Sequence, residues 1–481
     1  MVNRDTVTSS LFWKFLERCT AQLVTLLVGI VLARLLAPED FGALAILLVF
    51  VNLSVILTEA GFNSALIQKI DTDETDYGTV AVISIIIAVI LYISLFIVSP
   101  FLASYYSYPG LDTTMKVIAL VLFPNAISSV FKAKVSREFK FRKLFYVNLS
   151  SSVLSGIVGV TLAFLGFGLW ALVFQQLISS LSICLALYIQ LKWWPQFKYS
   201  AKRARKLFSF GWKIMASSII DTLLSDFRSL LVGKVFNTNT LGYYTQARQY
   251  PYAISNNVNT SIGAVMLPTM SNVQDNIDQV KNITRRAIKI STYLVFPVLL
   301  GFAAISDSFV YLILTEKWAP SIILIKIICC MFLFEPIITI NSQARNSIGK
   351  SGIHLVVVII GKVVDLGLLI LTWLAFNSIE AIAVGQVISS LIIAVIGGFV
   401  NKKIINYPIK EQLSDVVPNF IISLLMGVIV YFIYFLHLRP FLTLIVQVVS
   451  GFTIYVFFSL LLKNESYIYI KEYVLQKIRN K

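Results

Sequence analysis

Apolar runs long enough to cross the ~30 Å hydrocarbon core of a bilayer as a helix recur along this chain from one end to the other. With 57% hydrophobic and only 13% charged residues among 481, the chain lacks the polar surface that a water-soluble body of this size needs. Inside lipid every backbone N–H and C=O must be satisfied within the segment, so runs of this length are helices. Spans read from the apolar runs number fourteen, from 11–35 to 441–462. The expected class is an all-α polytopic membrane protein with 14 transmembrane helices. The first run is too long for a signal-peptide core and lacks a convincing cleavage site, so it reads as an uncleaved span.

Several function classes drop out at this point. Cys19, Cys184, Cys329 and Cys330 lie inside apolar runs and read as packing residues. His354 and His437 are far apart, and no His, Cys or carboxylate spacing suggests a metal site. No phosphate-cradling glycine loop or nucleophile elbow is present, so neither an enzyme nor a cofactor is expected. The longest external loops, around 99–112 and 306–320, are too short for the catalytic loop of a membrane polymerase or ligase. Tyr105, Tyr106, Tyr108, Trp318, Trp193 and Trp194 read as interfacial aromatics.

The formal net charge of +16 could suggest nucleic acid, but its placement argues for topology. Of 40 Lys and Arg, 30 fall on one set of alternate loops and tails and 4 on the other. Basic loops are cytoplasmic, so both termini are expected inside a cytoplasmic membrane, with anionic lipid headgroups and not nucleic acid as the neighbour.

The stretch "LVGIVLARLLAPEDFGALAI" is echoed by "LLVGKVFNTNTLGYYTQA", with Lys234 for Arg34 and Gly242 for Gly42. Trp13-Lys14 recurs as Trp212-Lys213, and "ALVFQQLISSL" as "AIAVGQVISSL". Leu122-Phe123 and Ala133-Lys134 recur as Leu333-Phe334 and Ala344-Arg345. Ordered matches at offsets drifting from 199 to 211 indicate an internal duplication. Six spans repeat as six, which preserves orientation and makes the halves parallel repeats. The expected organisation is a six-helix lobe at 1–208, a second at 209–402, and two added helices with a tail at 403–481. The cation before each turn reads as an interfacial residue reaching outward.

Ionisable groups inside spans are costly and default to functional hypotheses. Glu17 and Arg18 lie in the first span, and Asp221, Asp226 and Arg228 in the seventh. Arg248 opens the eighth, Glu335 precedes Pro336 in the tenth, and Lys362 and Asp365 sit in the eleventh. Asp221, Ser225 and Arg228 share a helix face by spacing, and Lys362 and Asp365 are close enough in sequence to pair. The bland reading is that these charges pair within a bundle and hold helices in register. The functional reading makes Arg18, Arg228, Arg248 and Lys362 receptors for a phosphate or pyrophosphate, since guanidinium forks bind such oxygens bidentately. Glu17, Asp221, Asp226, Glu335 and Asp365 then serve ion coupling or charge pairing, with H+ or Na+ as the coupling ion. Pro124, Pro251, Pro297 and Pro336 fall mid-span, where each frees a carbonyl and permits a bend.

"LLAPEDFGALAI", "EAGFNSALIQ", "SREFKFRKL", "LGYYTQARQYP", "LPTMSNVQD" and "EKWAPSI" resemble, in order, the Wzx-type polysaccharide flippases. These belong to the multidrug/oligosaccharidyl-lipid/polysaccharide exporter superfamily, and the likeness is to the colanic-acid exporter branch. The resemblance implies two six-helix lobes forming a V around a central cavity, plus two C-terminal helices. It implies transport of undecaprenyl-pyrophosphate-linked oligosaccharide to the outer leaflet for O-antigen, capsule or exopolysaccharide synthesis. A polysaccharide polymerase and a chain-length regulator would be its protein partners. Two alternatives stay open: a cation-coupled multidrug or cell-wall-precursor exporter of the same superfamily, and a non-transporting scaffold of a polysaccharide assembly complex.

Overall fold

The computed structural model describes residues 4–69, 71–138, 140–436, 438–469, 471 and 472. His437 lies outside the described residues, as do the side chains of Arg18 and Cys19. Among the described residues every regular element is helical. In chain order these are α1 (Arg4–Leu35), α2 (Pro38–Glu59), α3 (Phe62–Gln68), α4 (Glu74–Tyr106) and α5 (Leu111–Ile118). Then come α6 (Leu122–Arg137), α7 (Phe141–Phe164), α8 (Leu169–Leu191), α9 (Ala201–Val235), α10 (Thr238–Ser271) and α11 (Ile277–Phe309). The chain continues with α12 (Ser321–Phe332), α13 (Glu335–Ser347), α14 (Ser351–Phe376), α15 (Ile379–Ile405), α16 (Ile409–Ile433) and α17 (Pro440–Leu461).

Positions that echo each other in the sequence carry similar elements and caps. α4 and α11 are both 33 residues long, and each starts at a side-chain cap, Asp73 on the Asp76 amide and Asn276 on the Gln279 amide. A short polar side chain accepts from the otherwise orphaned amides of the first turn, so these positions fix where the helices begin. Pro124 and Pro336 each stand just after a break that splits a span in two, α5 from α6 and α12 from α13. Proline cannot donate to the preceding turn, so the helix restarts there.

Twelve helical segments among the described residues are long and apolar enough to cross a membrane. Of the fourteen expected spans, the two outside this set are α1, whose apolar helix is the shorter Thr20–Leu35, and α10. α10 falls short because its middle reads "RQYPYAISNNVNTS", a polar stretch no lipid-facing helix would carry.

The helices gather into two compact units, Met1–Thr245 and Gln246–Lys481. Within the first, α9 packs along α2, α3 and α4, and the echoed turns meet each other. A Cβ on Gly42 would lie 1.8 Å from the Thr238 carbonyl oxygen, and one on Gly242 would lie 1.9 Å from the Pro38 carbonyl oxygen. Backbone against backbone leaves no room for any side chain, so glycine is required on both sides of this reciprocal contact. The cation before the second turn, Lys234, is exposed; it donates to the Tyr105 carbonyl at 2.6 Å and sits 4.1 Å from the Tyr105 ring.

In the second unit α16 and α17 pack on α11, and Pro297 shows what they contribute. Its ring removes the donor that the Tyr293 carbonyl would use within α11. The Tyr455 hydroxyl of α17 donates to that carbonyl at 2.7 Å, and the Tyr293 hydroxyl donates to Ser459 at 3.2 Å. Beside this contact is an apolar groove of about 460 Å³ lined by Pro297, Gly301, Phe302, Met426, Gly451 and Tyr455, among others. One expected interfacial aromatic is corrected here: Trp318 is fully buried, held in a 3-10 turn between α11 and α12.

Candidate functional site

The ionisable residues expected inside spans divide between the units. Asp221, Asp226 and Arg228 ride on α9 in the first; Arg248, Glu335, Lys362 and Asp365 belong to the second. On α9 the shared face is uneven in burial: Asp221 is exposed, Ser225 is half-buried, and Arg228 is only 7% exposed. All of them, with Asp226, have polar or electrostatic partners in the structure. Glu17 on α1 accepts a hydrogen bond from the Asn148 side chain of α7 at 2.5 Å, which suits a helix-pairing role.

The second unit brings expected residues together from three helices. Glu335 opens α13 immediately before Pro336, and both Arg248 of α10 and Lys362 of α14 lie within electrostatic reach of its carboxylate. All three are half-buried. Cationic groups beside a carboxylate make a polar, charged cluster able to meet an anionic oxygen ligand. Asp365 and Lys362 also have partners of their own.

The polar stretch of α10 extends this cluster and had no place among the expected site residues. Gln246 donates to the Tyr250 hydroxyl at 2.7 Å, and Asn259 donates to Ser255 at 3.0 Å. Asn259 Oδ1 is buried without a hydrogen-bond partner among the described residues. A buried, unused carbonyl is costly, and sugar hydroxyls are groups that would satisfy it. The signal for this face was in the sequence, as the run of Asn, Ser and Thr that breaks the apolar pattern of the eighth span.

At the basic ends of both units, cations counted by sequence as loop charges turn out to be structural. In the first, buried Asp76 pairs with Lys69 at 2.5 Å and with Arg203 at 3.4 Å. Arg203 also hydrogen-bonds Asp73, which holds that carboxyl down at about 2. Lys134 pairs with Glu74 at 3.4 Å and lies 3.7 Å from the Trp193 ring, whose indole N–H donates to Glu74 at 3.0 Å. In the second, Asp415 accepts from Arg285 twice at 2.8 Å, from the Tyr407 hydroxyl at 2.7 Å, and faces Lys289 at 3.2 Å. Burial pushes the Tyr407 phenol up from its ordinary value. Arg345 is 2% exposed and donates to the Asn401 side chain at 3.2 Å.

Residues 31–323, more than half of the chain, match the family described as polysaccharide biosynthesis protein. The chain is similar to the succinoglycan biosynthesis transport protein ExoT of Rhizobium meliloti (strain 1021), 24% identical over 318 residues, covering 66% of this chain and 64% of that protein. It therefore spans just under two thirds of that relative's length. The lipopolysaccharide biosynthesis protein WzxC of Escherichia coli (strain K12) is 23% identical over 310 residues, covering 64% of this chain and 63% of that one. Among solved structures, lipid II flippase MurJ in an inward closed conformation superposes with a TM-score of 0.74. It is 16% identical and covers 95% of this chain and 99% of its own, which shows a shared fold. The chain is thus a multi-pass helical membrane protein and belongs to the polysaccharide biosynthesis protein family.

Proposed function

We propose that this protein is a flippase that carries undecaprenyl-pyrophosphate-linked oligosaccharide repeat units across the bacterial cytoplasmic membrane for surface polysaccharide synthesis. In this reading the chain makes fourteen spans with both termini in the cytoplasm, adding α1 and α10 to the twelve apolar segments. It is a transporter and not an enzyme. The observation that carries the reading is the Arg248–Glu335–Lys362 cluster at the foot of the polar face of α10. Sugar cannot cross hydrocarbon unaided, because each hydroxyl would lose its partners in water. A helix face of amides and hydroxyls replaces those partners, and the guanidinium of Arg248 with the ammonium of Lys362 would meet the oxygens of a pyrophosphate. The apolar groove beside α17 has the chemistry to take a lipid chain that stays in the bilayer.

Alternating exposure of this face to the two sides of the membrane would move the headgroup; Arg228 on α9 and Arg18 on α1 are separate candidate phosphate receptors. Glu335, Asp365, Asp221, Asp226 and Glu17 are the groups through which H+ or Na+ could reset the cycle. A polysaccharide polymerase and a chain-length regulator are the protein partners this role would require.

The test is the sidedness of lipid-linked oligosaccharide, read with a membrane-impermeant sugar probe in cells lacking the protein. Inward-facing intermediate should accumulate, wild type should clear it, and Arg248→Ala should fail to. Normal outward appearance without the protein would sink the proposal and favour a drug-exporter or scaffold role. Glu335→Gln and Asp221→Asn variants that work at wild-type rate in every ion gradient would remove the coupling role.

A further inference from the structure

The start of α11 and the segment that follows α17 line an open cleft of about 440 Å³ with Asn282, Arg285, Arg286, Lys289, Glu465 and Tyr469, among others. A second space, of about 430 Å³, shares Asn282, Arg286, Ile290 and Tyr469 as walls and runs on along Met266, Ile283 and Ala287. One is lined mainly by polar and cationic side chains, the other chiefly by apolar ones, and Arg286 borders both.

The charges around the polar cleft are unevenly matched. Arg285 is committed to Asp415 and Glu411, Lys281 to Glu411, and Lys289 to Asp415 at 3.2 Å and Glu465 at 2.5 Å. Arg286 is exposed, and its guanidinium carbon lies 5.2 Å from the centre of the Tyr469 ring. Among the described residues no carboxylate pairs with it. Four cations thus meet three carboxylates, Glu411, Asp415 and Glu465, and the surplus charge sits on the side chain that divides the two spaces. This lies at the basic end of the helices, where the polar part of a bilayer would be.

We infer that this is a binding site for one anionic phospholipid. Its phosphate would lie against Arg286, with Lys289 one turn further along α11, and one acyl chain would run along the apolar space past Ile290. A guanidinium held over an aromatic ring still has N–H groups to meet phosphate oxygens bidentately. Basic pockets between helices at the membrane interface suit anionic headgroups for this reason. The lipid would also join the segment after α17 to α11, so the added helices and the second repeat would be fastened at this end by lipid as well as by protein contacts.

The experiment uses the purified full chain in detergent, titrated with phosphatidylglycerol, phosphatidylcholine or inorganic phosphate. Bound lipid is read by native mass spectrometry and thermal unfolding in parallel. Phosphatidylglycerol should be retained and should raise the unfolding temperature, while the other two should do neither. Arg286→Ala should weaken phosphatidylglycerol binding about fivefold, from the usual contribution of one basic side chain at an anionic surface, and Arg286→Lys should restore part of it. The lipid-free unfolding temperature should not change, because Arg286 is exposed. Equal binding of phosphatidylcholine, or undiminished phosphatidylglycerol binding by Arg286→Ala, would overturn the proposal. An equal shift from inorganic phosphate would do so too, making this a soluble-anion site. No transport is measured, so failure here leaves the flippase reading untouched.

Discussion

Lys134 and Arg345 occupy the same position in the two repeats, yet their surroundings differ in kind. Lys134 is compensated by the carboxylate of Glu74 and the face of Trp193. Arg345 is more deeply buried, and it is met by the Asn401 amide. Asn401 in turn donates to Asn341 at 2.8 Å, and Asn341 to Gln412 at 3.0 Å. Among the described residues no carboxylate pairs with Arg345, and its Nε lacks a hydrogen-bond partner. Amide dipoles offset part of a buried charge but not the whole. The first unit has spent its cation on cohesion, whereas the second holds one whose charge is left largely uncompensated. The added helix α16 contributes to the difference, since Gln412 and Asp415 both belong to it.

Removing the central acceptor of the second unit should have the largest effect. Asp415→Ala leaves Arg285, Lys289 and Tyr407 without their shared oxygen atoms, and breaking such a buried pair costs about 3 kcal/mol. Thermal or denaturant unfolding of the full chain would read it, and a loss no larger than that of an exposed pair would show that the network is not cohesive.

The contrast itself is tested by Lys134→Met and Arg345→Met. The first should destabilise by about 1 kcal/mol, from a lost ion pair and cation–π contact. The second should be neutral or stabilising, because an apolar chain of similar length no longer carries an uncompensated buried charge. Equal losses would erase the distinction drawn between the units.

Tyr455→Phe should cost about 1 kcal/mol by leaving the Tyr293 carbonyl without its donor. In a Pro297→Ala background that loss should shrink, since the helix regains its own N–H at that turn. Additive effects in the double mutant would mean that the tyrosine does not act through the freed carbonyl.

The smallest effect concerns pH. The Asp73 carboxyl sits at about 2 when folded, below its ordinary value of 3.8, because Arg203 hydrogen-bonds it. A depressed carboxyl contributes stability that is fully present above its unfolded value and is lost as pH falls through the folded one. The Arg203→Gln difference should therefore be constant above about pH 5 and fade between about pH 4 and pH 2. A difference that persists at pH 2 would show that Arg203 acts through packing.

Much of the fold is written locally. Apolar runs mark the spans because lipid demands length and apolarity from each helix independently. The caps Asp73 and Asn276, the breaks at Pro124 and Pro336, and the echoed glycines follow from single residues and their neighbours in sequence. Part of the candidate site was legible for the same reason: Arg248, Glu335 and Lys362 each stand out as a charge within an apolar run, and the structure gathers them.

The sequence by itself determined an all-helical membrane chain with internal sequence echoes and charges at sparse internal positions. The tertiary structure decided which cations are already satisfied. Arg203, Arg285 and Lys289 read as loop charge until Asp73, Asp76, Asp415 and Glu465 are brought beside them from distant segments. Arg345, Trp318 and the donor to the Tyr293 carbonyl were hidden likewise. A charge or a freed carbonyl reports only that it needs a partner, and which group supplies that partner is fixed by helices that meet far from one another in sequence.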